Sequence, residues 1–94
     1  VQKNRLRNKP RDAIFHPEFL DDIQFWAEND RKLLIRLLSI VRDVLRDPFV
    51  GIGKPEPLKR ELTGAWSRRL DKEHRVIYTV SDDRIDFLQA RYHY

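Results

Sequence analysis

Trp66-Ser-Arg-Arg-Leu-Asp71, Arg75-Val-Ile-Tyr-Thr-Val-Ser81 and Ile85-Asp-Phe-Leu-Gln-Ala-Arg-Tyr92 decide how this chain folds. Each is short, rich in β-branched and aromatic residues, and alternates apolar with polar positions, the pattern of a strand buried on one face. Asp82-Asp83 reads as the hairpin turn between the second and third. Thr63-Gly64 reads as the turn into the first from a further strand at Lys59 to Leu62. Alternation puts Trp66, Arg68 and Leu70 on one face and Ser67, Arg69 and Asp71 on the other; likewise Val76, Tyr78 and Val80 oppose Arg75, Ile77 and Thr79. In the last strand Phe87, Gln89, Arg91 and His93 share parity. One face of such an antiparallel sheet lies under helices and the other is left for a ligand.

The helices precede it. Arg11 to Phe15 is consistent with a strand, and Pro17 suits the first turn of a helix, where its missing N–H costs nothing. Phe19, Leu20, Ile23, Trp26 and Ala27 recur at three- and four-residue steps. His16 reads as a junction residue. Asn29-Asp30 can cap a second helix, whose stripe of Leu33, Leu34, Leu37, Leu38, Val41, Val44 and Leu45 opposes Arg31, Lys32, Arg36, Arg42 and Asp43. Asp47-Pro48 ends it. The fold class is α+β, with two N-terminal helices packed as a hairpin on a small antiparallel sheet.

Ninety-four residues allow one core, and 40% apolar residues with ten aromatics suffice to fill it. The net charge of +4 is unevenly spread. Residues 1–11 hold Lys3, Arg5, Arg7, Lys9 and Arg11 and no acid, and are expected to be a flexible basic arm ahead of a single domain at 12–94. Residues 54–75 hold a second basic block, with Lys54, Lys59, Arg60, Arg68, Arg69, Lys72 and Arg75. Basic clusters of this kind favour phosphate backbones. With no cysteine, and His16, His74 and His93 far apart, neither a disulfide framework nor a zinc site is expected. No apolar run is long enough to span a membrane, so a cytoplasmic protein is expected.

Between helix and sheet, Gly51 and Gly53 permit unusual backbone angles while Pro55 and Pro57 restrict their neighbours, so Glu56 sits on a stiff bend. The spacing and the Lys-Ser/Thr ending of a P-loop are absent. Taken singly, Glu56 could pair with Lys54 or Lys59, and Arg75 with Asp71 or Glu73.

Four blocks in order, Gly-Lys-Pro-Glu-Pro-Leu-Lys at 53–59, Leu-Thr-Gly-Ala-Trp-Ser-Arg-Arg at 62–69, Glu-His-Arg-Val-Ile-Tyr at 73–78 and Arg-Tyr-His-Tyr at 91–94, resemble the YoeB (Txe/YoeB) toxins of bacterial toxin–antitoxin modules, in the RelE superfamily. The likeness covers roughly residues 12–94. It implies a metal- and cofactor-independent endoribonuclease that cuts mRNA in the ribosomal A site. It also implies a YefM-type antitoxin partner and operator binding through the toxin–antitoxin complex, and it leaves a homodimer open. Carried over by position, the catalytic residues are Glu56, Arg75, His93 and Tyr94. Lys59 and Arg69, joined by Lys54 and Arg68 of the same basic block, are the substrate-binding set.

RNA carries its own nucleophile. A metal-free ribonuclease must deprotonate the 2′-hydroxyl, stabilise the anionic phosphorane and protonate the departing 5′-oxygen. Glu56 would serve as base, Arg75 as the fixed cation and His93 as acid, with Tyr94 stacking on a base or orienting the phosphate. Two other readings compete: a non-catalytic nucleic-acid- and antitoxin-binding corepressor, and a ParE-like inhibitor of DNA gyrase.

Overall fold

A computed structural model describes residues 10–59 and 64–91. In chain order the elements are β1 (Asp12–Phe15), α1 (Pro17–Asn29), α2 (Arg31–Arg46), β2 (Glu56–Pro57), β3 (Ala65–Arg69), β4 (Arg75–Val80) and β5 (Arg84–Gln89). The helices start and stop where local chemistry directs. Pro17 opens α1, and the Asp30 carboxylate caps α2 by accepting from the Leu33 amide at 3.1 Å.

The strands form one sheet in the order β1-β5-β4-β3-β2. Three of its pairings are antiparallel, as alternation and short turns require, and Ser81 N–H closes the Asp82-Asp83 hairpin on Arg84 O at 2.9 Å. The fourth is not. Strand β1 lies parallel to β5, with Ala13 opposite Ile85 and Phe15 opposite Phe87. The sheet is therefore mixed, because the long path through both helices returns β1 to the far edge in the same direction.

One expectation about strand placement lies outside the described residues and another needs correction. Beyond Lys59, the strand expected at Lys59 to Leu62 falls on residues 60–63, which are not described, and a two-residue strand that sequence reasoning did not mark, β2, lies just before it at Glu56–Pro57. Proline is admissible there because β2 is an edge and no further strand needs its N–H. Parity also breaks in β5. Phe87 pairs with Tyr78 whereas Gln89 pairs with Ile77, so two residues on β5 answer one on β4. This irregularity puts Phe87 and Gln89 on opposite faces, where strict alternation put them together.

Phe19, Trp26, Leu37, Ile40, Val41 and Val44 of the helices pack against Leu70, Val76, Tyr78, Ile85, Phe87 and Ala90. Phe15, Phe19 and Phe87 add a run of rings with centroids 5.3 to 5.6 Å apart. The apolar stripe of α1 is only partly used, since Leu20 is 51% exposed while Asp22 is buried at 7%. Among the described residues, no helix is long and apolar enough to cross a membrane.

Candidate active site

Glu56 owes its place to an edge built from glycine and proline. Gly53 has φ of +79°, and a Cβ there would lie 3.0 Å from Arg69 O and 3.2 Å from Arg69 N, so only glycine lets the chain run this close to β3. The approach is fixed by a 2.6 Å hydrogen bond from Arg69 N–H to Gly53 O, and Leu58 N–H to Ala65 O at 2.8 Å secures the other end. Lys54 takes a left-handed φ of 52°, an uncommon angle for a residue with a side chain. Between these anchors Glu56 stands opposite Ser67.

Register carries the row onward. Ser67 faces Ile77, and Arg69 faces Arg75 one side-chain step along the same face. Glu56 and Arg75 meet there, Oε1 to Nη1 at 3.6 Å, with side chains 56% and 26% exposed. Glu56, Pro57, Leu58, Ser67, Arg75 and Ile77 line a cleft of about 190 Å³. This is the face turned away from the helices, as alternation requires.

The residues expected to bind substrate divide. Lys54, Lys59 and Arg69 are exposed, Lys54 and Lys59 on either side of Glu56 in the chain. Arg68 is wholly buried, and its expected role is corrected. Its parity with Trp66 and Leu70 turns it to the core, where Nη1 donates to Asp43 Oδ2 at 2.5 Å and to Ile52 O at 2.9 Å. Nη2 donates to Asp47 O at 2.6 Å and Nε to the Tyr78 hydroxyl at 3.2 Å, while that hydroxyl donates to Pro48 O at 2.7 Å. Arg68 thus holds the segment from the end of α2 to Ile52, just ahead of Gly53 and Glu56.

Asp43 is the counter-charge. Burial alone would raise its carboxyl, but hydrogen bonds from Arg68, Arg46 and the Ile52 amide outweigh that and hold it at about 2. Burial pushes the Tyr78 hydroxyl upward, in keeping with its use as a neutral donor and acceptor. Trp66 is half-buried against Phe49, with centroids 5.0 Å apart.

His93 and Tyr94 lie outside the described residues. The chain that leads to them is gripped by α1. Ala90 N–H donates to Asp22 Oδ2 at 2.8 Å, and Ala90 O accepts from Trp26 Nε1 at 2.9 Å. The Arg91 guanidinium lies 3.5 Å from the centre of the Phe25 ring. Burial raises the Asp22 carboxyl despite the Ala90 bond. Trp26 also meets the His74 ring edge-on at 4.8 Å, one residue before Arg75, which makes His74 a packing residue of the β3–β4 turn. Sequence reasoning assigned this task to neither Asp22 nor Trp26. A signal for it exists, because Phe19, Asp22 and Trp26 follow helical spacing and put a carboxylate on the buried side of α1.

His16 sits at the head of α1, its Nε2 2.8 Å from Asp86 Oδ2. That contact and Arg84 lower the Asp86 carboxyl. Among the described residues, no cluster of three or more His, Asp or Glu side chains could hold a metal.

A family model described as the YoeB-like toxin of bacterial type II toxin–antitoxin systems matches residues 15–94. The toxin YoeB of Mycobacterium bovis is 50% identical over 84 residues, covering 89% of this chain and 99% of the relative. The solved YoeB dimer from Staphylococcus aureus superposes with a TM-score of 0.82 at 37% identity, over 90% of this chain and 99% of that one. A YoeB–YefM complex from the same organism gives 0.78 at 36% identity, over 89% and 98%. The chain belongs to the YoeB-like toxins of bacterial type II toxin–antitoxin systems.

Proposed function

We propose that this toxin is an endoribonuclease that cuts mRNA in the ribosomal A site, by attack of the substrate's own 2′-hydroxyl. The single observation that supports this best is the pairing of Glu56 with Arg75 at the cleft between β2 and β4, a carboxylate and a guanidinium 3.6 Å apart. Glu56 takes the 2′-hydroxyl proton, the 2′-oxygen bonds to phosphorus, and the bond to the 5′-oxygen breaks. The products are a 2′,3′-cyclic phosphate and a 5′-hydroxyl.

Arg75 has two tasks in this scheme. In the free protein it faces Glu56, Nη1 to Oε1 at 3.6 Å, and occupies the carboxylate that must act as base. An arriving phosphate draws the guanidinium to itself, which frees Glu56 as a base and sets a cation where the phosphorane charge develops. The long contact suits an ion pair that must exchange partners. His93 protonates the leaving oxygen, and Tyr94 stacks on a base or orients the phosphate. Lys59, Arg69 and Lys54 attract neighbouring phosphates.

Partners follow from the same reading. The S. aureus relative was solved with YefM, and a YefM-type antitoxin is the partner proposed here. Ile35, Leu38, Phe49 and Val50, between 45% and 64% exposed, offer apolar surface for a protein to cover. The cytoplasm, where ribosomes are met, is the proposed compartment.

Primer extension on mRNA in programmed bacterial ribosomes tests the reading. Cleavage in the A-site codon should fall by roughly 10²- to 10⁴-fold in Glu56→Ala and in His93→Ala. Cutting indifferent to both changes would reject the assigned chemistry. No cutting by the unaltered protein would favour the corepressor and call for a gyrase assay.

A further inference from the structure

Beside the Glu56 cleft lies a second depression, of about 460 Å³, lined by Arg36, Arg69, Leu70, Asp71, Lys72 and Arg75. The two share Arg75. We infer that this depression is a phosphate subsite for the same RNA strand, with Arg36 and Lys72 contacting a backbone phosphate beyond the one held at Arg75. The inference rests on the reading of the Glu56–Arg75 cleft as an RNA site, and it assigns tasks to two residues that the catalytic scheme does not use.

Arg36 is the more informative of the two. It projects from α2, not from the sheet, yet its Nε donates to Leu70 O at 2.9 Å and its Nη2 to Arg69 O at 3.2 Å. Two carbonyls at the end of β3 therefore fix the guanidinium without neutralising it. Among the described residues, no carboxylate lies within ion-pair distance of Arg36, Arg69 or Lys72. Asp71, the one acid in the lining, uses Oδ1 to accept the amides of Glu73 at 2.8 Å and His74 at 2.6 Å, and so braces the turn that carries Lys72.

Of these four cations only Arg75 has a carboxylate partner among the described residues, Glu56, so they repel one another in the free protein, a cost that a polyanion removes. Their supports are a helix, a strand end and a braced turn, so little ordering is needed when a strand arrives. A strand whose reacting phosphate sits at Arg75 has its next phosphate one nucleotide further along, and the depression continues from Arg75. Guanidinium and ammonium groups read that backbone and not the base, so the subsite adds affinity in any sequence.

The test is the salt dependence of binding to a fluorescein-labelled RNA octamer carrying 2′-deoxy substitutions, which is bound and not cut, measured by anisotropy. Removing one cation that neutralises a phosphate should lower the slope of log K against log salt by about 0.7 for a single strand. Lys72→Gln, on an exposed turn, should lower it by that amount. Arg36→Gln should do the same, and its thermal midpoint guards against a folding defect. Lys32→Gln, exposed on α2 outside the lining, should leave the slope unchanged.

Ribosomal cleavage by each variant is measured alongside. An unchanged slope for Lys72→Gln overturns the inference. If its cutting then falls on ribosomes alone, Lys72 engages ribosomal RNA instead. No binding of the octamer by the unaltered protein at low salt overturns it equally. A lowered slope in a protein that cuts nothing would keep the subsite and reject the nuclease.

Discussion

Arg68 and Arg75 stand on opposite faces of one sheet, and the faces use the same side chain in different ways. On the helix side, Arg68 is 0% exposed and spends its donors on Asp43, Ile52, Asp47 and Tyr78. On the other, Arg75 is a quarter exposed and meets a single carboxylate at 3.6 Å. A guanidinium satisfied on every side fixes a loop, whereas one held by a loose pair can change partners. Local charge does not distinguish the two cases. The number and burial of the acceptors does.

Exchanging each arginine for alanine should separate the two faces. Arg68→Ala removes the buried partner of Asp43, leaving that carboxylate only Arg46 and the Ile52 amide, strips a donor from the carbonyls of Asp47 and Ile52, and should cost about 3 kcal/mol of stability by denaturant unfolding. Arg75→Ala should leave the unfolding midpoint nearly in place while lowering ribosomal cleavage by roughly 10²- to 10³-fold. A severe stability loss in Arg75→Ala, or a stable but inactive Arg68→Ala, would break the contrast.

Acid sharpens it. The Asp43 carboxyl is depressed in the folded protein, so its contribution is complete above its ordinary value of 3.8 and is lost as pH falls toward about 2. That loss should amount to about 2 kcal/mol and be absent from Asp43→Asn, whose midpoint should be lower but flatter across this window. Asp22 acts with the opposite sign. Its carboxyl is raised by burial, so protonation as pH falls through the raised value favours the fold. Asp22→Asn, which keeps an acceptor for Ala90 N–H, should remove that gain.

The smallest expected effect is that of Trp26→Phe. It retains a ring in the core but deletes the donor to Ala90 O, and should cost about 1 kcal/mol. Hydrogen exchange at residues near Ala90 should quicken. Unchanged exchange there would show that Asp22 alone holds this point.

Much of the fold is legible in the sequence. Alternation sorts Trp66, Arg68 and Leu70 from Ser67 and Arg69, and that parity already places Arg68 on the helix side. Reading the basic block by charge alone nevertheless counts it with the ligand-binding residues. What settles its fate is Asp43, 25 positions away, together with loop carbonyls that no local pattern marks. The same limit explains the bulge in β5, which contains no glycine to announce it, and the parallel β1, whose direction depends on where two helices return the chain. Strand β2 escapes a sequence reading because the prolines on either side of Glu56 argue for a bend. They are compatible with an edge, where one side of the backbone goes unpaired. The Glu56–Arg75 juxtaposition needs both the register of three strands and the Gly53 approach, and only the glycines and prolines hint at it.

The clamp on Ala90 sets a limit on reach. With both backbone groups of that residue held by α1, His93 follows only three residues from a fixed point. A chain of that length extends about 10 Å at most. The residue proposed as proton donor therefore answers to α1 as well as to the sheet that carries Glu56 and Arg75. A partner that loosened α1 would act on the proton donor's anchorage without touching the cleft.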